Sequence, residues 1–101
     1  APTNIAVLSV GYADGYNRLL GNKGCVLIGG RRRPVVGRVS MNWVTVDVGP
    51  DGDVREGDEA VLIGSQGNQS IWADEMATLC GTIAYEILTD INAGLQRVYV
   101  G

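Results

Sequence analysis

Residues Trp43–Asp53 read WVTVDVGPDGD. The VTVDV core alternates with a period of two, which puts Val44, Val46 and Val48 on one face of a strand and Thr45 and Asp47 on the other. GPDGD then supplies the Gly, Pro and Asp of a turn. A half-buried strand stopped by a turn is the unit from which an antiparallel sheet is built, and the same unit recurs on both sides of this one.

Working outward, NIAVLSV (Asn4–Val10) is a near-continuous apolar run, short and β-branched enough for a buried strand. GCVLIGG (Gly24–Gly30), RPVVGRVSM (Arg33–Met41), EAVLIG (Glu59–Gly64) and QRVYV (Gln96–Val100) read as further strands. GSQGNQS (Gly64–Ser70) reads as a polar loop. SIWADEMATLCG (Ser70–Gly81) differs. Its apolar residues Ile71, Met76 and Leu79 are spaced for a short helix, with acids early and Gly81 as the stop. TIAYEILTDI (Thr82–Ile91) fits either a strand or a helical turn. About six short strands and one short helix predict an all-β fold, a small six-stranded barrel, closed or partly closed. Closure would also remove the exposed edges of so short a sheet.

The chain has 101 residues, which predicts one domain over residues 1–101 with no internal linker. Its net charge of −3 argues against a nucleic-acid partner, because such affinity comes largely from Lys and Arg on phosphates. No apolar run approaches the roughly 18 residues of a membrane span, and no secretory leader pattern opens the sequence. Cys25 and Cys80 stand far apart and outside any CxxC, so two free thiols and a cytoplasmic location are expected. There is no histidine, which removes the commonest metal ligand and the usual general base, and no metal site is expected.

Three stretches could carry chemistry. VGYADGYNR (Val10–Arg18) places Tyr12, Asp14, Tyr16 and Arg18 around an Asp-Gly reversal. It is either a turn whose tyrosines pack their rings and wet their hydroxyls, or a ligand-facing loop with Tyr as donor and Arg as fixed charge. In GRRRPVVGRVSMN (Gly30–Asn42), Arg31, Arg32 and Arg33 read as a solvated basic turn. Arg38 falls inside an apolar strand, where an arginine needs a partner or an opening to solvent. Met41 is either core filler or a backbone donor at a strand end. In GTIAYEIL (Gly81–Leu88), Tyr85 is either packed or bonded through its hydroxyl to an anion such as a phosphate. No Ser/His/Asp set, phosphate-cradling glycine loop or carboxylate pair completes a catalytic apparatus.

VGYADGYNR, PVVGRVSMN, TVDV, GDEAVLIG and GTIAYEIL, in this order and spacing over nearly the whole chain, resemble the C-terminal domain of alanine racemase. The resemblance implies a two-domain homodimer dependent on pyridoxal 5′-phosphate. An N-terminal barrel, absent from this chain, carries the Schiff-base lysine, and this domain closes the active site of the partner subunit. The cofactor acts as electron sink. Lys23, the sole lysine, has no counterpart in the family pattern, and the family's tyrosine base belongs to a Ser-Tyr-Gly stretch this chain lacks. The resemblance therefore implies no catalytic base here, and the chain alone should be inactive.

Residue by residue, the resemblance assigns Met41 the backbone N–H that binds the substrate carboxylate. Tyr12, Arg18, Arg38, Ile83 and Tyr85 become residues of the access channel, with Tyr85 also near the cofactor phosphate. Asn42 stands where the family usually has Asp, and racemases of broader specificity carry Asn there. Ala84 replaces a residue that is often polar. The alternatives are a broad-specificity amino-acid racemase, a decarboxylase of the same architecture, whose cysteine and aspartate pattern is not seen here, and a non-catalytic β-barrel binding or assembly module.

Overall fold

The structure, a computed structural model, describes residues 3–14, 16, 18–81 and 97–101. The strands are β1 (Asn4–Leu8), β2 (Cys25–Ile28), β3 (Arg31–Val36), β4 (Val44–Gly49), β5 (Glu59–Val61), β6 (Gly64–Gln66), β7 (Gln69–Ile71) and β8 (Arg97–Tyr99). The helix α1 spans Ala73–Cys80, and two 3-10 turns cover Tyr12–Asp14 and Arg18–Leu20.

Six strands form one sheet in the order β1-β4-β3-β2-β5-β8, and each neighbouring pair is antiparallel. The sheet curls until its two edges meet. Leu8 at the end of β1 bridges Val100 just past β8, and Gly101 N–H donates to Val7 O at 3.2 Å. The seam touches at one end only, so the expected barrel is partly closed, and both edge strands are shielded where they meet.

The VTVDV alternation holds. Val44, Val46 and Val48 are buried in the core with Leu8, Val35, Ala60, Val61 and Val98, while Thr45 and Asp47 face outward. β2 departs from simple alternation, because Val26, Leu27 and Ile28 are all fully buried. The β6–β7 hairpin packs against it and covers its second face.

Five expectations are corrected. Gly64–Ser70 is not a loop but a hairpin, β6 paired with β7, whose two-residue connection begins at Gly67 with φ 59°. Polar composition hid strands that bury only their inner edge. NIAVLSV is not a strand buried on both sides, because Ile5 and Val7 are 51% and 42% exposed on the outer face of β1. Arg31–Arg33 is not a turn but the start of β3, paired with Ile28, Leu27 and Val26; Arg31 and Arg32 are exposed as expected, and Arg33 is not. Arg33 points inward. Arg38 does not lie in a strand. β3 ends at Val36, Gly37 turns with φ 75°, and Arg38 is exposed beyond it. Ile71 belongs to β7 and not to the helix.

The helix obeys its sequence signals. Asp74 and Glu75 occupy its first turn, where the helix dipole favours negative charge. Gly81 closes it in the left-handed conformation, φ 69°, with its N–H on the Ala77 and Thr78 carbonyls. Residues 82–96 lie outside the described residues, and with them the undecided TIAYEILTDI stretch.

Candidate active site face

VGYADGYNR is not one plain reversal. It folds as two short 3-10 turns, and its two tyrosines go opposite ways. Tyr16 drops into the core, 1% exposed, and its N–H donates to Gly11 O at 3.2 Å. Its hydroxyl therefore does not reach water, against the simple turn reading, and it finds no hydrogen-bond partner among the described residues. Burial raises its pKa far above the ordinary tyrosine value, with the Cys25 and Cys80 thiols adding to the effect. Tyr12 stays at the surface, 42% exposed, and the Arg18 guanidinium lies over its ring, 5.3 Å from the centroid.

The second half of the face comes from the segment between β3 and β4. Gly37 ends β3 and donates its N–H to Asn22 Oδ1 at 2.7 Å, which fixes the departure of the chain. Ser40 N–H donates to Trp43 O at 3.0 Å and closes a tight loop that presents Met41 and Asn42. Two backbone bonds fasten this loop to the first 3-10 turn. Tyr12 N–H donates to Ser40 O at 3.1 Å and Ala13 N–H to Met41 O at 3.0 Å.

The result is a cleft of about 440 Å³ lined by Tyr12, Arg18, Leu19, Arg38 and Val39. Three residues singled out in the sequence, Tyr12, Arg18 and Arg38, are thus brought to one place from two separate segments. Neither Arg18 nor Arg38 forms an ion pair with a described residue, so the cleft presents two guanidinium groups beside a phenol. Two fixed positive charges and one phenolic donor suit a small carboxylate-bearing ligand. Met41 lies on the loop that continues from Val39. Its side chain is half exposed, its carbonyl is held by Ala13, and its own N–H donates to no described residue. Ile83 and Tyr85 lie outside the described residues.

The sequence reading missed Leu19 and Val39 as lining residues. Their proximity to Arg18 and Arg38 in the chain was the available signal. It also missed that Arg32 is structural. Arg32 pairs with Glu75, reaches Ser70 O at 2.7 Å and lies 3.4 Å from the Cys25 sulfur. Burial is the main cause that raises the Cys25 thiol above its ordinary pKa, as it does for Cys80, so neither is an activated nucleophile.

Pyridoxal phosphate requires an amine for its Schiff base, and the described residues do not fit it. Lys23 is exposed on the turn after Leu20, with its backbone N–H on Leu20 O at 3.1 Å, and it is not among the residues lining the cleft. No cluster of metal-ligating side chains occurs among the described residues, and none of their helices is long and apolar enough to cross a membrane.

Residues 1–99 match the family model described as alanine racemase, C-terminal domain. An alanine racemase from Methylacidiphilum infernorum is 54% identical over 98 residues, covering 97% of this chain and 25% of that protein. The crystal structure of alanine racemase from Bacillus anthracis with bound L-Ala-P superposes with a TM-score of 0.79 at 43% identity, over 87% of this chain and 22% of that one. The alanine racemase from Bartonella henselae, solved with covalently bound pyridoxal phosphate, gives 0.76 at 40% identity, over 90% of this chain and 24% of that one. The chain thus spans about a quarter of the length of the relatives it matches. With a family model matched across almost all of its residues, the chain belongs to the alanine racemase C-terminal domain family.

Proposed function

We propose that this chain works as the C-terminal domain of a pyridoxal-phosphate-dependent alanine racemase, interconverting L- and D-alanine in the cytoplasm as a homodimer. In this reading the cofactor, its lysine and both proton-transferring bases sit in another part of the enzyme, and this domain closes the partner subunit's active site. Its own residues bind and guide. The Met41 N–H donates to the substrate carboxylate, a charge-assisted bond made by backbone. Tyr12, Arg18 and Arg38 line the access route, where the guanidinium pair draws in the anionic end of an amino acid. Ile83 is an apolar residue of that route, and Tyr85 narrows it near the cofactor phosphate.

The observation that carries this reading is the convergence of Tyr12, Arg18 and Arg38 on one cleft whose wall is hydrogen-bonded to the Met41 loop. The test is a pair of substitutions in the full-length enzyme. Met41→Leu keeps the donor and should leave kcat/KM for alanine within a fewfold of wild type. Met41→Pro removes the donor and should cost about 1.5–3 kcal/mol of substrate stabilisation, roughly ten- to a hundredfold. A folded Met41→Pro enzyme with wild-type kcat/KM would contradict the assignment.

Asn42 favours a second reading of the substrate. It is exposed beside Met41, and an amide there lacks the charge that an aspartate would hold against anionic side chains. A broader amino-acid specificity fits this residue, and the rates of racemisation of serine and glutamate relative to alanine discriminate the two.

A further inference from the structure

Among the described glycines, Gly11 makes the closest approach to another part of the chain. A Cβ on Gly11 would lie 2.2 Å from Ser40 O, 2.5 Å from Met41 O and 2.6 Å from the Met41 carbonyl carbon. Its φ is not in the left-handed region, so backbone conformation does not demand glycine there. Space does. The obstruction is backbone, which cannot swing aside as the end of a long side chain can.

A Gly11 side chain would strike both peptides that flank Met41, and first the oxygen of the peptide joining Ser40 to Met41. That carbonyl oxygen accepts Tyr12 N–H at 3.1 Å. In a planar trans peptide the C=O and N–H point in opposite directions. Holding the Ser40 oxygen against the Tyr12 turn therefore turns the Met41 N–H away from it, where it meets no described acceptor. The Ala13 bond to Met41 O at 3.0 Å fixes the next peptide as well.

We propose that Gly11 is a positioning residue that aims the Met41 N–H by letting the Tyr12 turn clamp the Ser40–Met41 peptide. The inference rests on the reading of that N–H as the carboxylate donor. A methyl at position 11 pushes the peptide back and rotates the donor, while the cleft-lining side chains remain.

The experiment uses the full-length enzyme with Gly11→Ala, Met41→Pro and Gly52→Ala. Gly52, φ 67° with open space around it, is a control for the loss of a glycine in a turn remote from the site. Gly11→Ala should raise KM for L-alanine roughly ten- to a hundredfold, as expected for loss of a bond to a charged group, with kcat within about threefold. Competitive inhibition separates aim from general damage. Propionate, which keeps the carboxylate, should weaken in step with KM, and ethylamine, which lacks it, should not. Gly52→Ala should leave KM and both inhibitors unchanged.

A wild-type KM in Gly11→Ala beside a raised KM in Met41→Pro overturns this inference alone. A wild-type KM in Met41→Pro overturns the carboxylate reading and takes this inference with it. Equal weakening of propionate and ethylamine, or a Gly11→Ala enzyme that does not fold, assigns Gly11 a structural role and overturns the proposal as well.

Discussion

Arg33 donates its Nη1–H to the carbonyl oxygen of Val48 at 2.8 Å from a side chain that is 5% exposed. Its Nε–H reaches Ile28 O at 3.1 Å, so a single guanidinium joins the ends of β2 and β4 across β3. The half-exposed Asp53 lies 3.6 Å from Nη2 and balances the charge. Arg33→Met should cost about 2–4 kcal/mol, because two carbonyls lose a charged donor while the aliphatic stem is kept. Arg33→Lys should recover little of this, since an ammonium cannot present the planar fork that spans both oxygens. Urea unfolding of the two variants checks it. A loss below about 0.5 kcal/mol in Arg33→Met would show that the bridge is idle.

Tyr16 gives a prediction of the opposite sign. Its ring fills core volume while its buried hydroxyl has no partner among the described residues. Tyr16→Phe removes an unmet polar group and keeps the packing, so the melting temperature should hold or rise. Tyr16→Ala leaves a cavity and should cost about 3–5 kcal/mol. A clear loss of stability in Tyr16→Phe would mean that the hydroxyl is bonded after all.

The Arg32–Glu75 pair ties β3 to α1 through a two-pronged contact. Hydrogen bonding to Arg32 is the main cause that lowers the Glu75 pKa below the ordinary glutamate value. The folded state then binds the proton more weakly than the unfolded chain does. The stabilisation is fully present above the ordinary glutamate range and fades as pH falls below it toward the lowered folded value. The pair is partly exposed, so solvent screening limits its worth to about 1 kcal/mol or less. Glu75→Gln should flatten this part of the stability–pH profile. An unchanged acid limb in the variant would refute the assignment.

The stacking of Arg18 on Tyr12 predicts coupling in catalysis. In the full-length enzyme, Arg18→Ala and Tyr12→Ala should each lower kcat/KM, and the double variant should lose less than the sum. A coupling energy of about 0.5–1 kcal/mol is expected for an exposed cation–π pair. Strict additivity would mean that the two residues act separately.

The alternating VTVDV strand and the helix stopped by Gly81 were legible because period and punctuation are local signals. The Tyr12, Arg18 and Arg38 grouping was legible only through the order of motifs, since no local rule joins residues 12 and 38. Arg33 was read as solvated because charge outweighed parity. Its inward direction was nonetheless encoded, as it shares the strand face of Val35, also buried. The β6–β7 hairpin was missed because Ser, Gln and Asn read as loop, although the Gly67-Asn68 pair between two short runs is a hairpin signal. The need for glycine at position 11 could not be read, because the crowding comes from residues some thirty positions away.

The most direct test of the central claim is a chimera in which this chain replaces the matching C-terminal quarter of the Methylacidiphilum infernorum racemase, assayed for conversion of L- to D-alanine. The account predicts that the chimera folds, binds pyridoxal phosphate and racemises alanine, while this chain alone, given the cofactor, neither binds it nor racemises alanine. A folded, cofactor-loaded chimera without racemase activity, or racemisation by the isolated chain through Lys23, would contradict it.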